Sequence, residues 1–190
     1  DWLDDYALFM ALKDKFGGKS WTEWDENIKT RDPEALKKYT EELKDEIKLQ
    51  KFIQYIFWRQ WDRFHRYCNK NGVQIIGDIP IYVSPDSADV WAQPELFELD
   101  EKLDPKRVAG VPPDLFSATG QLWGNPLYNW EEMHNTGYRW WLKRVGRAKE
   151  NFDMLRIDHF RAFDTYYAIP FGDKTAEHGT WEKGPGMELF

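Results

Sequence analysis

Apolar residues recur at the spacing of an α-helix in three parts of the chain. The first is residues 1–15, which a pair of glycines ends. The second begins with an Asp-Pro pair and covers residues 32–70, ending before an Asn-Gly pair. It is long enough to be two helices with a bend. The third covers residues 129–150. The pattern therefore predicts at least three amphipathic helices.

Two short runs of aliphatic residues predict buried strands instead: VQIIGDIPI at 73–81 and DMLRIDHF at 153–160. A predicted helix lies between them, and this order is typical of parallel βα units. Two strands cannot form a sheet that is covered on both faces, and a complete (β/α)₈ barrel needs about 250 residues. The fold class is therefore predicted to be α/β. The chain is either a domain with further strands or an incomplete part of a TIM barrel.

The other segments are predicted to be mostly irregular. Residues 84–100 hold a short helix around ADVWAQPELF. Residues 101–128 are rich in proline and glycine and are too long for a simple connection, which favours a functional loop. The segment after residue 164, with YYAIP, GTW and KGPG, is predicted to form irregular structure and turns.

The composition, 42% hydrophobic and 31% charged residues, is that expected of a water-soluble globular protein. The net charge of -7 argues against binding to nucleic acid or to anionic membranes. The first residues do not resemble a signal peptide, no apolar run is long enough to span a membrane, and Cys68 is the only cysteine. We therefore expect a cytoplasmic protein without a disulfide framework. Aromatic residues make up 17% of the chain, which serves core packing but also fits a sugar-binding cleft.

Two acidic residues mark the ends of the predicted strands. Asp78 and Asp158 each lie at a carboxyl-terminal end, where barrel enzymes collect catalytic groups. Arg156 precedes Asp158 by two positions, so the strand period places both side chains on one face. A guanidinium there would lower the pKa of Asp158 and keep it ionised, as the nucleophile of a retaining glycosidase must be. The alternatives are a structural ion pair for Arg156 and Asp158, and a turn-forming role for Asp78.

The segment AGVPPDLFSATGQLWGNPLY offers both aromatic rings for stacking on sugars and polar groups for their hydroxyls. The rings are Phe116, Trp123 and Tyr128, and the polar groups are Asp114, Gln121 and Asn125. The alternative is an ordinary surface loop whose aromatic residues pack underneath it.

Together these segments resemble one family closely, the 4-α-glucanotransferases or amylomaltases of glycoside hydrolase family 77. The resemblance is carried, in the family's order, by DWLDDYALFMALK, GDIPIYVSPDSADVWAQPELF, AGVPPDLFSATGQLWGNPLYNW, RIDHFRAF and KGPG. It implies that residues 1–190 are the central portion of a single catalytic (β/α)₈ domain, with a helical insertion at about 1–71 and a substrate-cleft loop at about 101–128. It also implies a retaining transfer of an α-1,4-glucan segment to glucose or to another glucan, without a metal or an organic cofactor.

The resemblance further assigns site residues. Asp158 matches the family's nucleophile and Arg156 its arginine neighbour. The residues that match substrate-contacting positions are Asp78, Asp114, Phe116, Gln121, Trp123 and His159. The family's acid/base glutamate and its third carboxylate belong to later segments that these 190 residues do not include, so we expect the chain alone to be inactive. The alternatives are an α-amylase-like hydrolase and a non-catalytic glucan-binding protein.

Overall fold

The computed structural model describes residues 2–190; Asp1, where the predicted first helix begins, lies outside this range. The α-helices in the described range are α1 (Trp2–Lys15), α2 (Glu26–Lys29), α3 (Pro33–Glu42), α4 (Lys44–Lys70), α5 (Ala88–Ala92), α6 (Trp130–Asn135) and α7 (Arg139–Asn151). The strands are β1 (Ile76–Pro80), β2 (Arg107–Val111), β3 (Gln121–Pro126), β4 (Met154–Asp158), β5 (Thr165–Pro170) and β6 (Thr180–Lys183). The fold is therefore mixed α/β, and its sheets are partial.

One compact unit contains the residues up to Val73 together with Asp86–Gln93, and it is helical. Its core is aromatic: Phe9 of α1 contacts both Trp24 and Trp91, whose ring centroids lie within 6 Å of it. The start of α3 agrees with its sequence, because the Asp32 side chain accepts hydrogen bonds from two backbone N–H groups of the first turn. The predicted helix at 32–70 is two helices, α3 and α4, which meet at Leu43.

The apolar stripe of this helical pair is buried only in its first part. Tyr39, Leu43 and Ile47 are buried, and α4 packs against α1 and α3 there. Farther along α4, Phe52 and Phe64 are more than half exposed. The period of the pattern thus predicted the helices correctly, but it did not predict where their burial ends.

The second compact unit contains Gln74–Pro85 and Pro94–Phe190, and its two predicted strands are confirmed. β1 and β4 pair in parallel, with Asp78 opposite Arg156 and Pro80 opposite Asp158. Helix α7 precedes β4 and packs against it. This is the predicted parallel βα arrangement.

A second sheet in this unit was not predicted. It is antiparallel, with strand order β3-β2-β5-β6. The interpretation of 101–128 as a loop is therefore corrected: β2 and β3 form a hairpin, and only its tip, residues 112–120, is irregular. The interpretation of the segment after 164 is also corrected, since β5 and β6 lie within it. Val108 of β2 and Ile169 of β5 pack in the core of this sheet.

The predicted helix at 129–150 is also two helices, α6 and α7. They are separated by Gly137 and Tyr138, both with positive φ. A left-handed pair of residues cannot continue a right-handed helix, so α6 ends there and α7 begins in a new direction. Among residues 2–190, no helix is long and apolar enough to cross a membrane.

Candidate active site

Asp78, Arg156 and Asp158 lie together on the paired strands β1 and β4. Asp158 is the last residue of β4, whereas Asp78, expected at the end of its strand, is the central residue of β1. The parallel register sets Asp78 directly opposite Arg156. Asp158 is two positions farther along β4, and alternate residues of a strand face the same side of the sheet. The strand period thus predicted correctly that Arg156 and Asp158 share a face, and the pairing of β1 with β4 adds Asp78. We call these three residues the triad.

The geometry of the triad is that of one guanidinium shared by two carboxylates. Arg156 Nη1 donates to Asp78 Oδ2, and Arg156 Nη2 donates to Asp158 Oδ1 at 2.5 Å. The bond to Asp78 and the charges of both carboxylates raise the pKa of Arg156 above its ordinary value. The side chains of Asp78 and Asp158 are 54% and 57% exposed, so an incoming ligand can reach both.

His159 follows the triad and turns the chain sharply at the end of β4. Its φ of 55° is in the left-handed region, which non-glycine residues seldom adopt. Burial lowers the pKa of His159 below its ordinary value, although the charge of Asp158 opposes this change. The neutral imidazole is therefore favoured, and it can both donate and accept a hydrogen bond.

The ring of Trp123 in β3 packs against the ring of His159. The two rings meet edge to face with their centroids 4.8 Å apart, and Trp123 remains 38% exposed. Its Nε1 donates to Gln121 Oε1 at 3.0 Å, so Gln121 fixes the orientation of the indole ring. A fixed and partly exposed aromatic ring beside the triad is a suitable stacking surface for a pyranose.

Tyr82 packs against Trp123 at the candidate site, and the sequence pattern did not single it out. It lies four positions after Asp78, and its ring contacts those of Trp123 and Tyr128 at centroid distances of 6.5 and 5.7 Å. Burial raises its pKa well above the usual range, so the hydroxyl stays protonated. The signal available in the sequence was its place just beyond a strand that carries a site aspartate.

The tip of the β2–β3 hairpin holds Asp114 and Phe116, the other two predicted site residues. Asp114 Oδ1 accepts hydrogen bonds from the backbone N–H groups of Phe116 and Ser117, both at 2.8 Å, and thereby shapes the turn. Leu115 and Phe116 are almost fully exposed. Within residues 2–190, neither Asp114 nor Phe116 contacts the triad through a hydrogen bond or an aromatic ring. The structure gives Asp114 a turn-forming role, and its contact with substrate stays a prediction.

A groove of about 780 Å³ lies elsewhere in the same unit, lined in part by Glu95, Glu98 and Lys106. None of the predicted site residues lines it. Its charged groups are partly used in structural pairs, since Glu98 binds Arg107 through two hydrogen bonds. We therefore place the candidate active site at the strand ends. Among residues 2–190, no cluster of histidine, cysteine, aspartate and glutamate side chains is arranged to hold a metal ion.

Several families of enzymes could contain such a site, and comparison with known proteins identifies the family of this chain. The whole chain, residues 1–190, matches the family model of glycoside hydrolase family 77, described as 4-alpha-glucanotransferase. The chain belongs to this family. The resemblance carried by the motifs is thus confirmed.

Individual family members agree with this assignment over the whole chain. The chain is 53% identical to the 4-alpha-glucanotransferase of Aquifex aeolicus and 51% identical to that of Clostridium butyricum, with 100% of the chain covered in each case. It also superimposes on the amylomaltase of Streptococcus agalactiae, solved in complex with acarbose, with a TM-score of 0.96 and 47% identity over 99% of the chain. The chain spans 39% of the length of the first two proteins and 38% of the third.

Proposed function

We propose that the protein containing this chain is a retaining 4-α-glucanotransferase. It would move a segment of an α-1,4-glucan, or a maltooligosaccharide, from a donor chain to glucose or to another glucan. The observation that carries this proposal is the exposed Asp158 carboxylate, which Arg156 holds at a strand end, next in sequence to His159, whose ring contacts that of Trp123. Family membership and the acarbose complex of the S. agalactiae amylomaltase support the same conclusion.

In the proposed reaction, Asp158 acts as the nucleophile. A carboxylate oxygen forms a bond to the anomeric carbon, and the glycosidic bond to the leaving sugar breaks. Arg156 holds Asp158 in place through the hydrogen bond from its Nη2. Asp78, on the same guanidinium, and His159 are proposed to bind sugar hydroxyls at the reacting end.

A second carboxyl group must protonate the leaving oxygen and then deprotonate the acceptor hydroxyl. The glutamates near the end of the chain are used elsewhere. Glu182 lies in β6, a correction to its predicted place in irregular structure, and binds Arg107 at 2.7 Å. Glu188 pairs with His134, and Glu177 accepts a hydrogen bond from Thr175. We therefore propose that the acid/base comes from outside these 190 residues.

We further propose that β1 and β4 are neighbouring strands of a (β/α)₈ barrel. Their parallel pairing, the helix α7 packed on β4 and the polar groups from the centre of both strands to the end of β4 all support this architecture. Residues 1–190 would then be the central portion of one catalytic domain, with the helical residues 1–71 as an insertion. A cytoplasmic location stays a prediction.

The test uses the complete polypeptide, its Asp158→Asn variant and an Asp164→Asn control, in which the same change is made at an exposed aspartate of the next segment. With maltotriose as substrate, we expect longer oligosaccharides from the wild type and the control. We expect a loss of roughly 10⁴-fold or more in the Asp158 variant, because the nucleophile is gone.

Other outcomes separate the alternatives. Glucose and maltose as the only products would indicate an α-amylase-like hydrolase. Binding of glucan without turnover by the wild type would indicate a non-catalytic binding protein. Near-normal turnover by Asp158→Asn would remove Asp158 from the nucleophile role.

A further inference from the structure

The backbone that follows Asp78 is held by side chains from two other elements. Residues 80–83 lead away from the end of β1. The carbonyl groups of Pro80, Ile81 and Val83 accept hydrogen bonds from side chains rather than from a neighbouring strand. Arg144 of α7 donates through Nη2 to Pro80 O at 2.6 Å and through Nη1 to Ile81 O at 2.9 Å. Asn125 of β3 donates through Nδ2 to Val83 O at 2.7 Å. We call residues 80–83 the anchored segment.

Tyr128 is a third residue that donates a hydrogen bond to this segment, and its side chain is buried. Its hydroxyl donates to Ile81 O at 2.5 Å, and only 1% of its surface is exposed. The Arg144 guanidinium lies over the ring of Trp141, with 4.9 Å between Cζ and the ring centroid. Arg144 is therefore fixed by packing, and a planar fork fixed in this way can set the position of two neighbouring carbonyl groups.

The anchored segment is linked at one end to the strand that carries Asp158 and at the other end to Trp123. At one end, Pro80 lies opposite Asp158 in the parallel register. At the other, the ring of Tyr82 contacts that of Trp123, which in turn contacts His159. A shift of this short segment would therefore change the position of Trp123 relative to Asp158, the proposed nucleophile.

We propose that Arg144 and Asn125 are positioning residues of the glucan-transfer site. They act by fixing the anchored segment, and through it the placement of Trp123 relative to Asp158. Neither residue touches the triad. This inference rests on the proposed function, because the positioning has meaning only for a reaction at Asp158.

Two conservative variants of the complete polypeptide test the proposal. Arg144→Lys keeps the charge but cannot donate to both carbonyl groups in the geometry of a fork. Asn125→Asp keeps the size but replaces the donor with an acceptor that faces Val83 O. Arg139→Lys is the matched control, since it makes the first change at an exposed position of the same helix.

The readout is the split between kcat and KM for maltotriose, measured well below the thermal unfolding temperature of every variant. We expect each test variant to lower kcat by about 10- to 100-fold with KM changed by no more than about twofold, because small misplacements of reacting groups act mainly on the rate. The double variant should lose less than the product of the two single losses, since both residues act on one segment. The control should equal the wild type.

The contrary results are distinct. If both variants keep kcat within about twofold of the wild type, or if kcat falls only in proportion to the fraction unfolded, the positioning role is refuted. If one variant fails to fold, the other decides, because Arg144 and Asn125 hold opposite ends of the segment. If the wild type itself transfers no glucan, the proposed function has failed instead.

Discussion

At the residue scale, Arg156 is the centre of the site because it serves two carboxylates with two different nitrogens. A guanidinium donates to Asp78 and Asp158 from two nitrogens whose relative positions are fixed, whereas an ammonium group offers donors from a single nitrogen. The pairing leaves the outer side of each carboxylate open to solvent. Asp158 is thus held in place without being buried, which fits its proposed role as the nucleophile toward a glucan chain.

Trp123 is expected to keep water away from the glycosyl-enzyme. Its replacement by alanine should raise the ratio of hydrolysis to transfer several-fold, because the stacking surface that favours an acceptor sugar over water is lost. The ratio is measured from glucose released and from longer oligosaccharides formed on maltotriose. Trp58→Ala is the control, since Trp58 has a similar exposure on α4. An unchanged ratio in Trp123→Ala would contradict the role of this ring.

The positions of individual site residues were predictable to different degrees. The shared face of Arg156 and Asp158 followed from the strand period, because backbone geometry decides where alternate side chains point. Asp78 lies in the predicted strand, but at its centre rather than at its end. Gln121 and Asp114 were expected to bind sugars; in the structure they bind Trp123 and the turn backbone, and their contact with sugars stays a prediction. A polar side chain can satisfy a protein group or a ligand equally well, and sequence alone does not distinguish these uses.

At the element scale, the close approach of β1 to Phe152, two residues before β4, depends on Gly77. A Cβ at this position would overlap the ring of Phe152. Gly77→Ala should therefore lower the free energy of unfolding of the complete polypeptide by about 1–3 kcal/mol, as overpacking does in other cores. The shift of the urea midpoint at constant slope measures this change.

Gly146 in α7 is the matched control, because nothing lies within 4 Å of the position of its missing Cβ. Gly146→Ala should raise the free energy of unfolding by up to about 1 kcal/mol, since alanine is the better helix former. Replacement of glycine by alanine should thus lower the free energy of unfolding at position 77 and raise it at position 146. If Gly77→Ala raised the urea midpoint as well, the packing against Phe152 would not be as described.

Elements were predictable where the pattern was long or strongly apolar. The helices and the parallel strands β1 and β4 satisfied this condition. β2 and β3 did not, because each contains a glycine and β3 ends in proline, which are turn signals in sequence. β5 has four consecutive buried residues rather than an alternating pattern, so its period gave no strand signal. These strands are defined by their partners in the sheet.

At the scale of the whole molecule, the chain consists of two compact units, and it spans 38–39% of the length of the relatives compared with it. Asp158, the proposed nucleophile, and Trp123 lie in one unit, and in the described residues Glu177, Glu182 and Glu188 are bonded to other side chains. Under the proposed function, these residues would supply one of the two carboxyl groups that a retaining mechanism requires.

The isolated 190-residue chain should not disproportionate maltotriose, whereas the complete polypeptide should. Without a proton donor for the leaving oxygen, even a well-held Asp158 cannot displace it at a useful rate. Both are assayed at equal concentration, and circular dichroism verifies that the isolated chain is folded. Robust formation of longer oligosaccharides by the isolated chain would refute this prediction.

The most direct test of the account is to trap the covalent intermediate. The complete polypeptide is treated with 5-fluoro-α-glucosyl fluoride, whose ring fluorine slows breakdown of a glycosyl-enzyme, and is then digested for peptide mass spectrometry. We predict one fluoroglucosyl group on the peptide that contains Asp158, and none in the Asp158→Asn variant. A label on a different carboxylate, a label that persists in Asp158→Asn, or inverted anomeric configuration in the products would contradict it.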